Sequence, residues 1–171
     1  IMDSLGRLGV TRIDVAYVHD CSFMTHGDRA PAVLRQVIAE SVPELQRIRS
    51  EGLIRHIGVA VSDWRVCVDI LREAELDCLL LAGRYTLLDQ SALTELLPLC
   101  VERGVRIALG GVFNSGILAG AVNHAKAPLF FNYEPASPEW LARAAAIETV
   151  CEQFDVPLRA AALQFPLAHP A

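Results

Sequence analysis

Several classes of protein are excluded by what this 171-residue sequence lacks. It has no surplus of basic charge: the formal net charge is −5 and the isoelectric point about 5.5. A nucleic-acid or anionic-membrane surface is therefore not expected. No apolar run approaches the ~20 residues that a membrane span needs. Met2 is followed at once by D-S-L-G-R, which is not the pattern of a secretory leader. The five cysteines (Cys21, Cys67, Cys78, Cys100, Cys151) are odd in number and show no C-x-x-C spacing. They read as reduced, mostly buried thiols of a cytoplasmic protein. The five histidines make no H-x-x-x-H or H-E-x-x-H pair and join no cysteine cluster, so no metal site is expected. A G-x-G-x-x-G fingerprint, a P-loop lysine and a G-x-S-x-G elbow are also absent.

What is present is apolar surface in excess. Hydrophobic residues make up 53% and the mean hydropathy is +0.34, high for a free-standing domain of this size. Elements buried on several sides are expected, against chain not contained in these residues. The first element lies inside a helical pattern at Ile1, and the last ends at H-P-A without a terminating signal. The expectation is a partial domain over residues 1–171.

The chain alternates helical and strand patterns. Met2, Leu5 and Leu8 have helical spacing, with Gly9 as a stop. R-I-D-V-A-Y-V-H-D, Arg12 to Asp20, is a near-continuous apolar, β-rich run ending at His19, as expected of a parallel strand covered on both faces. Cys21 to Ala30 reads as a polar loop. A helical region follows from Pro31, kinked or divided at Pro43 and ended by Gly52. Ile54 to Val61 is the second strand. Ser62 and Asp63 offer caps to an amphipathic helix over Trp64 to Glu73 with Val66, Ile70 and Leu71 inward. Cys78 to Ala82 is the third strand, tipped by Gly83, Arg84 and Tyr85. Asp89 can cap a helix over Gln90 to Arg103, closed by Gly104. Val105 to Leu109 is the fourth strand and leads into G-G-V-F-N-S-G, Gly110 to Gly116. Ile117 to Ala136 reads as a long loop of the kind that is often functional. Ser137-Pro138-Glu139 starts a helix to about Phe154, and a last helix runs from Pro157 to about His169.

Regular αβ alternation implies a parallel sheet with right-handed crossovers. A doubly wound sheet and part of a (β/α)8 TIM barrel both fit. A full barrel needs ~250 residues, so four strands in a chain this apolar read most naturally as half of one.

Ligands collect at the carboxyl ends of parallel strands, and the candidate residues sit there. His19 can orient a carbonyl or shuttle a proton. Asp20 can orient it or be a solvated turn residue. Cys21 stands beside them. In G-G-V-F-N-S-G the glycines let backbone N–H groups approach a ligand, and Asn114 and Ser115 add side-chain donors, suited to phosphate or an amide. The same loop can also be a plain turn. Capping accounts for Ser62 and Asp63, and packing for Trp64. Arg84 and Tyr85 can meet a polar ligand or form an exposed ion pair and packing contact.

Taken together, four phrases carry a resemblance. S-L-G-R-L-G-V-T-R-I-D-V-A-Y-V-H-D, Ser4 to Asp20, resembles the aldo-keto reductase family's helix and strand ending in its catalytic histidine. L-Q-R-I-R-S-E-G-L-I-R-H-I-G-V, Leu45 to Val59, is a highly characteristic phrase of that family. L-L-A-G-R-Y-T-L-L-D-Q, Leu80 to Gln90, and G-G-V-F-N-S-G-I-L-A-G, Gly110 to Gly120, resemble its aldose 1-dehydrogenase branch. The resemblance implies a (β/α)8 barrel that binds NAD or NADP without a Rossmann domain, with these residues as its fourth to seventh strands. It makes His19 the tetrad histidine, which hydrogen-bonds the oxygen of a sugar or aldehyde substrate. Ser62 falls near the pair that holds the carboxamide, although V-A-V-S-D replaces the usual V-S-N. Phe113, Asn114, Ser115 and Gly116 fall on the loop over the cofactor's pyrophosphate. The tetrad's aspartate, tyrosine and lysine belong to earlier strands, and the segment gripping the adenosine phosphate belongs beyond Ala171. The family's usual glutamine and stacking tyrosine are replaced by Ala82 and Gly110.

The implied activity is oxidation of an aldose at C1 to a lactone, with the 171 residues inactive by themselves. The alternatives are a non-catalytic barrel that binds a nicotinamide cofactor or acts as a scaffold, and a sugar- or phosphate-binding module using the Asn114 loop. Open sheet edges near Ile13 to Val18 and Val105 to Leu109 are expected to favour self-association.

Overall fold

A computed structural model describes residues 1–171. The chain falls into two compact units, one of residues 1–81 with 95–108 and Ala171, the other of residues 82–94 with 109–170.

The first unit opens with α1 (Met2–Leu8), stopped by Gly9 in the left-handed region at φ 66, where its N–H meets the carbonyls of Gly6 and Leu5. Only Leu5 of that helix is buried; Met2 and Leu8 are exposed. β1 (Ile13–His19) pairs in parallel with β2 (Ile54–Val61), with Tyr17 beside Gly58 and His19 beside Ala60. β2 pairs in parallel with β3 (Cys78–Ala82), and the strand order continues to β4 (Arg106–Gly110). The alternation therefore produces the parallel α/β sheet that it implies.

Burial corrects one expectation. β2 is buried over most of its length, whereas in β1 only Ala16 is fully buried. The reason is position: β1 lies at the edge of the strand order and has one neighbour, not two. Its Tyr17 packs over Gly58, and burial together with the Cys78 thiol pushes the phenol up to about 12.

Residues 21–30 are not a polar loop. Cys21 and Ser22 are buried, and the chain then turns through α2 (Phe23–His26) and a 3₁₀ turn at Gly27–Arg29 into α3 (Ala30–Gln36). Burying Cys21 and Ser22 obliges the following backbone to find internal hydrogen bonds, and helical turns supply them. The division at Pro43 is observed: a π-helical stretch at Val37–Ser41 separates α3 from α4 (Val42–Ser50), with the proline in the first turn of α4. The helical backbone runs on without a break, and the wider π turn lies just before a residue that has no N–H to give.

α5 (Trp64–Glu73) buries Val66, Ile70 and Leu71, the stripe that its periodicity defines. The predicted helix over 90–103 is shorter. α6 covers Leu96–Arg103, and residues 90–95 form turns. Pro98 explains the difference. In a helix begun at Gln90 it would be interior and would break a bond to Thr94, whereas in α6 it is the third residue. Leu96, Leu97 and Cys100 are fully buried on α6, and burial pushes the Cys100 thiol up to about 11.

In the second unit the predicted long loop is mostly turns, closed by a two-stranded hairpin of β5 (Phe130–Phe131) and β6 (Glu134–Pro135). Its corner residues Asn132 and Tyr133 have φ 51 and 67, as a tight two-residue hairpin turn requires. α7 (Pro138–Gln153) starts where the sequence signals it, with the Ser137 hydroxyl accepting from the Trp140 N–H. α8 (Leu158–Gln164) passes at Pro166 into a 3₁₀ turn, Phe165–Ala168. Leu88, Ile117, Leu118, Phe131, Ala144 and Leu158 form this unit's core. No helix is long and apolar enough to cross a membrane.

Candidate active site at the strand ends

His19 is the last residue of β1. Beyond it the chain turns sharply, with Asp20 in the left-handed region at φ 51 and its N–H donating to the Ala60 carbonyl at 2.9 Å. That bond ties the turn to β2 and fixes where the imidazole emerges. The side chain of His19 is 75% exposed, and its Nδ1 lies 3.3 Å from Asp20 Oδ2. Of the two readings of Asp20, the structure shows a carboxylate beside the imidazole. One ring nitrogen, Nδ1, thus lies beside the carboxylate of an otherwise exposed imidazole.

Cys21, adjacent to this pair, is 1% exposed, and burial is the main cause that pushes its thiol up. A neutral buried thiol is a poor nucleophile. Ser62 leaves β2 one strand over and is half-buried, with its hydroxyl 4.0 Å from the Met24 sulfur. Asp63, not Ser62, is the cap of α5: its carboxylate accepts the Arg65 N–H at 3.1 Å. Arg65 then lies over the Trp64 ring, 4.6 Å from its centroid. His19 and Ser62 thus stand at the carboxyl ends of neighbouring strands of the first unit.

Phe113, Asn114, Ser115 and Gly116 belong to the second unit and follow the end of β4. Asn114, Ser115 and Gly116 have φ 46, 61 and 98, three successive residues in the left-handed half of the map. For two non-glycine residues this is uncommon and must be held by other contacts. The holding group is the Asn114 side chain, which is 3% exposed. Its amide donates to the Gly83 carbonyl at 3.1 Å, and its Oδ1 accepts from the Thr86 hydroxyl at 2.6 Å. Ser115 Oγ accepts the Tyr133 N–H at 2.9 Å. The Asn114 amide is therefore a brace within the fold, while Ser115 and Gly116 beside it are exposed.

Thr86 was not singled out by the sequence reading. Its hydroxyl also accepts from the N–H groups of Leu88 and Asp89, and the T-L-L-D spacing is the available signal for such a turn. Arg84 forms an ion pair with Asp89 at 2.9 Å, but it is shielded, with side chains 17% and 11% exposed. Burial alone would raise the Asp89 carboxyl; the Ser91 hydroxyl and N–H and the Arg84 guanidinium outweigh it and hold the group low. Tyr85 is buried, with ring centroids 5.1 Å from Phe165 and 5.7 Å from His169. Arg84 and Tyr85 thus serve packing and pairing within the second unit. No three His, Cys, Asp or Glu side chains converge to hold a metal ion.

Known proteins resemble this chain over its whole length. The model of the Aldo/keto reductase family matches residues 1–171. A pyridoxal 4-dehydrogenase of Microbacterium luteolum is 44% identical over 173 residues, 99% of this chain and 49% of its own. A D-threo-aldose 1-dehydrogenase of a Pseudomonas species is 40% identical over 167 residues, 98% of this chain and 48% of its own. The chain thus spans about half the length of the curated relatives it matches. Among solved structures, a glycerol dehydrogenase from Gluconobacter oxydans superposes with a TM-score of 0.69 at 21% identity, over 98% of this chain and 50% of that one. The four-stranded parallel sheet with its helices is accordingly part of a (β/α)8 barrel. On the match of every residue to the family model and on the two dehydrogenase relatives, the chain belongs to the aldo/keto reductase family.

Proposed function

We propose that residues 1–171 form the histidine-bearing part, strands four to seven, of an NAD- or NADP-dependent oxidoreductase that oxidises an aldose at C1 to a lactone. Its family is one of oxidoreductases, and the two relatives named above are dehydrogenases of an aldose and of pyridoxal. The observation that carries the reading is the His19 imidazole, exposed at a strand's carboxyl end with one nitrogen beside Asp20. In barrels of this class the chemistry sits at that end of the strands.

In this reading His19 hydrogen-bonds the anomeric oxygen and sets the direction of the C1–H bond. Positioning of this kind and proton-sharing hydrogen bonds supply a large part of an enzyme's rate. The backbone of Phe113, Ser115 and Gly116 suits an anionic pyrophosphate, because successive left-handed residues form a concave turn and Asn114 fixes that course. Ser62 offers a hydroxyl to a carboxamide. When bound, the nicotinamide supplies the acceptor of the C1 hydride. The substrate is a small sugar or aldehyde, and neither nucleic acid nor membrane is a partner. We assign the protein to the cytoplasm, a reading supported by five free cysteines, four of them buried.

The test is formation of NADH or NADPH by the intact protein that carries these residues, with a panel of aldoses and pyridoxal, beside its His19→Ala variant. Turnover is expected to fall by roughly 10²–10⁴-fold in the variant while cofactor binding is retained. Cofactor binding with no turnover of any compound would instead favour a non-catalytic barrel.

A further inference from the structure

Residues 111–129 contain no helix or strand, yet Ile117 and Leu118 within them are fully buried. A segment with so few ladder hydrogen bonds opens easily unless side chains hold it. Glu148 of α7 does so. It is only 6% exposed, and its Oε2 accepts the N–H groups of Val122 at 2.9 Å and Asn123 at 2.7 Å. Two successive amides converging on one oxygen make a small anion-binding concavity, filled here by a carboxylate of the same chain. Elsewhere α7 is anchored by Arg143, whose guanidinium donates to the Leu88 carbonyl at 3.1 Å, and by Trp140, which stacks on Phe131 with centroids 4.0 Å apart.

The geometry points to Glu148 as a positioning residue that pins residues 111–129 and thereby sets how fast a nicotinamide cofactor leaves. This rests on the reading above that residues 113–116 contact the cofactor. Glu148 acts through the segment: its bonds end at Val122 and Asn123, six and seven residues beyond Gly116. A segment that must lift for release is restrained by its charged anchor, and release of this kind often limits turnover.

The test uses Glu148→Ala and Glu148→Gln in the intact protein. Amide hydrogen exchange at Val122 and Asn123 is followed without cofactor, and stopped-flow fluorescence follows release of NADH and of NADPH in turn. In Glu148→Ala both amides are expected to exchange roughly tenfold faster or more, and release to quicken about tenfold. Glu148→Gln keeps an acceptor oxygen, so it is expected to fall between parent and alanine. It also keeps the test open if the alanine variant folds poorly. Unchanged exchange overturns the proposal. So does faster exchange with unchanged release, or a loss of global stability that accounts for all the faster exchange. Failure of the parent to bind either cofactor removes the underlying functional reading instead.

Discussion

At the residue scale, Gly58 is held by geometry on two sides. A β-carbon there would lie 2.6 Å from the Cys78 carbonyl oxygen and 2.7 Å from the Tyr17 ring. The ring can tilt, but the carbonyl belongs to the neighbouring strand and cannot yield without disturbing the ladder. Gly58→Ala is expected to cost about 1–3 kcal/mol, read as a lower urea midpoint at unchanged slope. The shielded Arg84–Asp89 pair is a second such point. Removing the guanidinium leaves a half-buried carboxylate without its cation, and Arg84→Ala is expected to cost about 1–3 kcal/mol near neutrality. The pH dependence follows from the direction in which Asp89 is shifted. A carboxyl held low in the fold contributes stability above the ordinary carboxylate pKa of about 4 and loses it as pH falls through the lower folded value. The gap between parent and variant is therefore expected to close in acid, measured as urea midpoints at descending pH.

At the element scale, local signals read correctly where local chemistry decides. Gly9 and Gly104 take left-handed φ angles and end α1 and α6, and Ser137-Pro138-Glu139 starts α7. β2 and β3 fall where their apolar runs lie, because strands flanked by neighbours on both sides have a strong pattern. What failed was set by distant partners. The apolar run of β1 gives no sign that it has one neighbour. One miss was local instead: residues 90–95 have an acceptable helical pattern, but nearby Pro98 forbids its continuation. The place of His19 at a strand end was legible because a histidine closing an apolar run stands out. The inward turn of Asn114 was not, since its partners Gly83 and Thr86 lie about thirty residues away and no periodicity connects them. Glu148 was hidden for the same reason: nothing near it in sequence reveals that its carboxylate meets Val122 and Asn123.

At the scale of the whole molecule, four parallel strands in the order β1-β2-β3-β4 leave β1 and β4 each with one strand neighbour. Unpaired strand edges are templates for further pairing. The 171-residue chain in isolation is expected to self-associate at micromolar concentration, seen by sedimentation velocity as dimers or larger species. A monodisperse monomer that unfolds cooperatively would overturn this expectation. The Asn114 brace has a consequence for how such a barrel changes over time or in the hands of an engineer. Because one amide joins the tip of β3 to the turn after β4, the two loops are not separate modules. The loop after β4, transplanted by itself into a relative, would arrive without the Gly83 carbonyl and the Thr86 hydroxyl that hold its left-handed course. The heritable cassette is the pair of segments together, and a graft of either one alone exchanges a fixed backbone for a loose one.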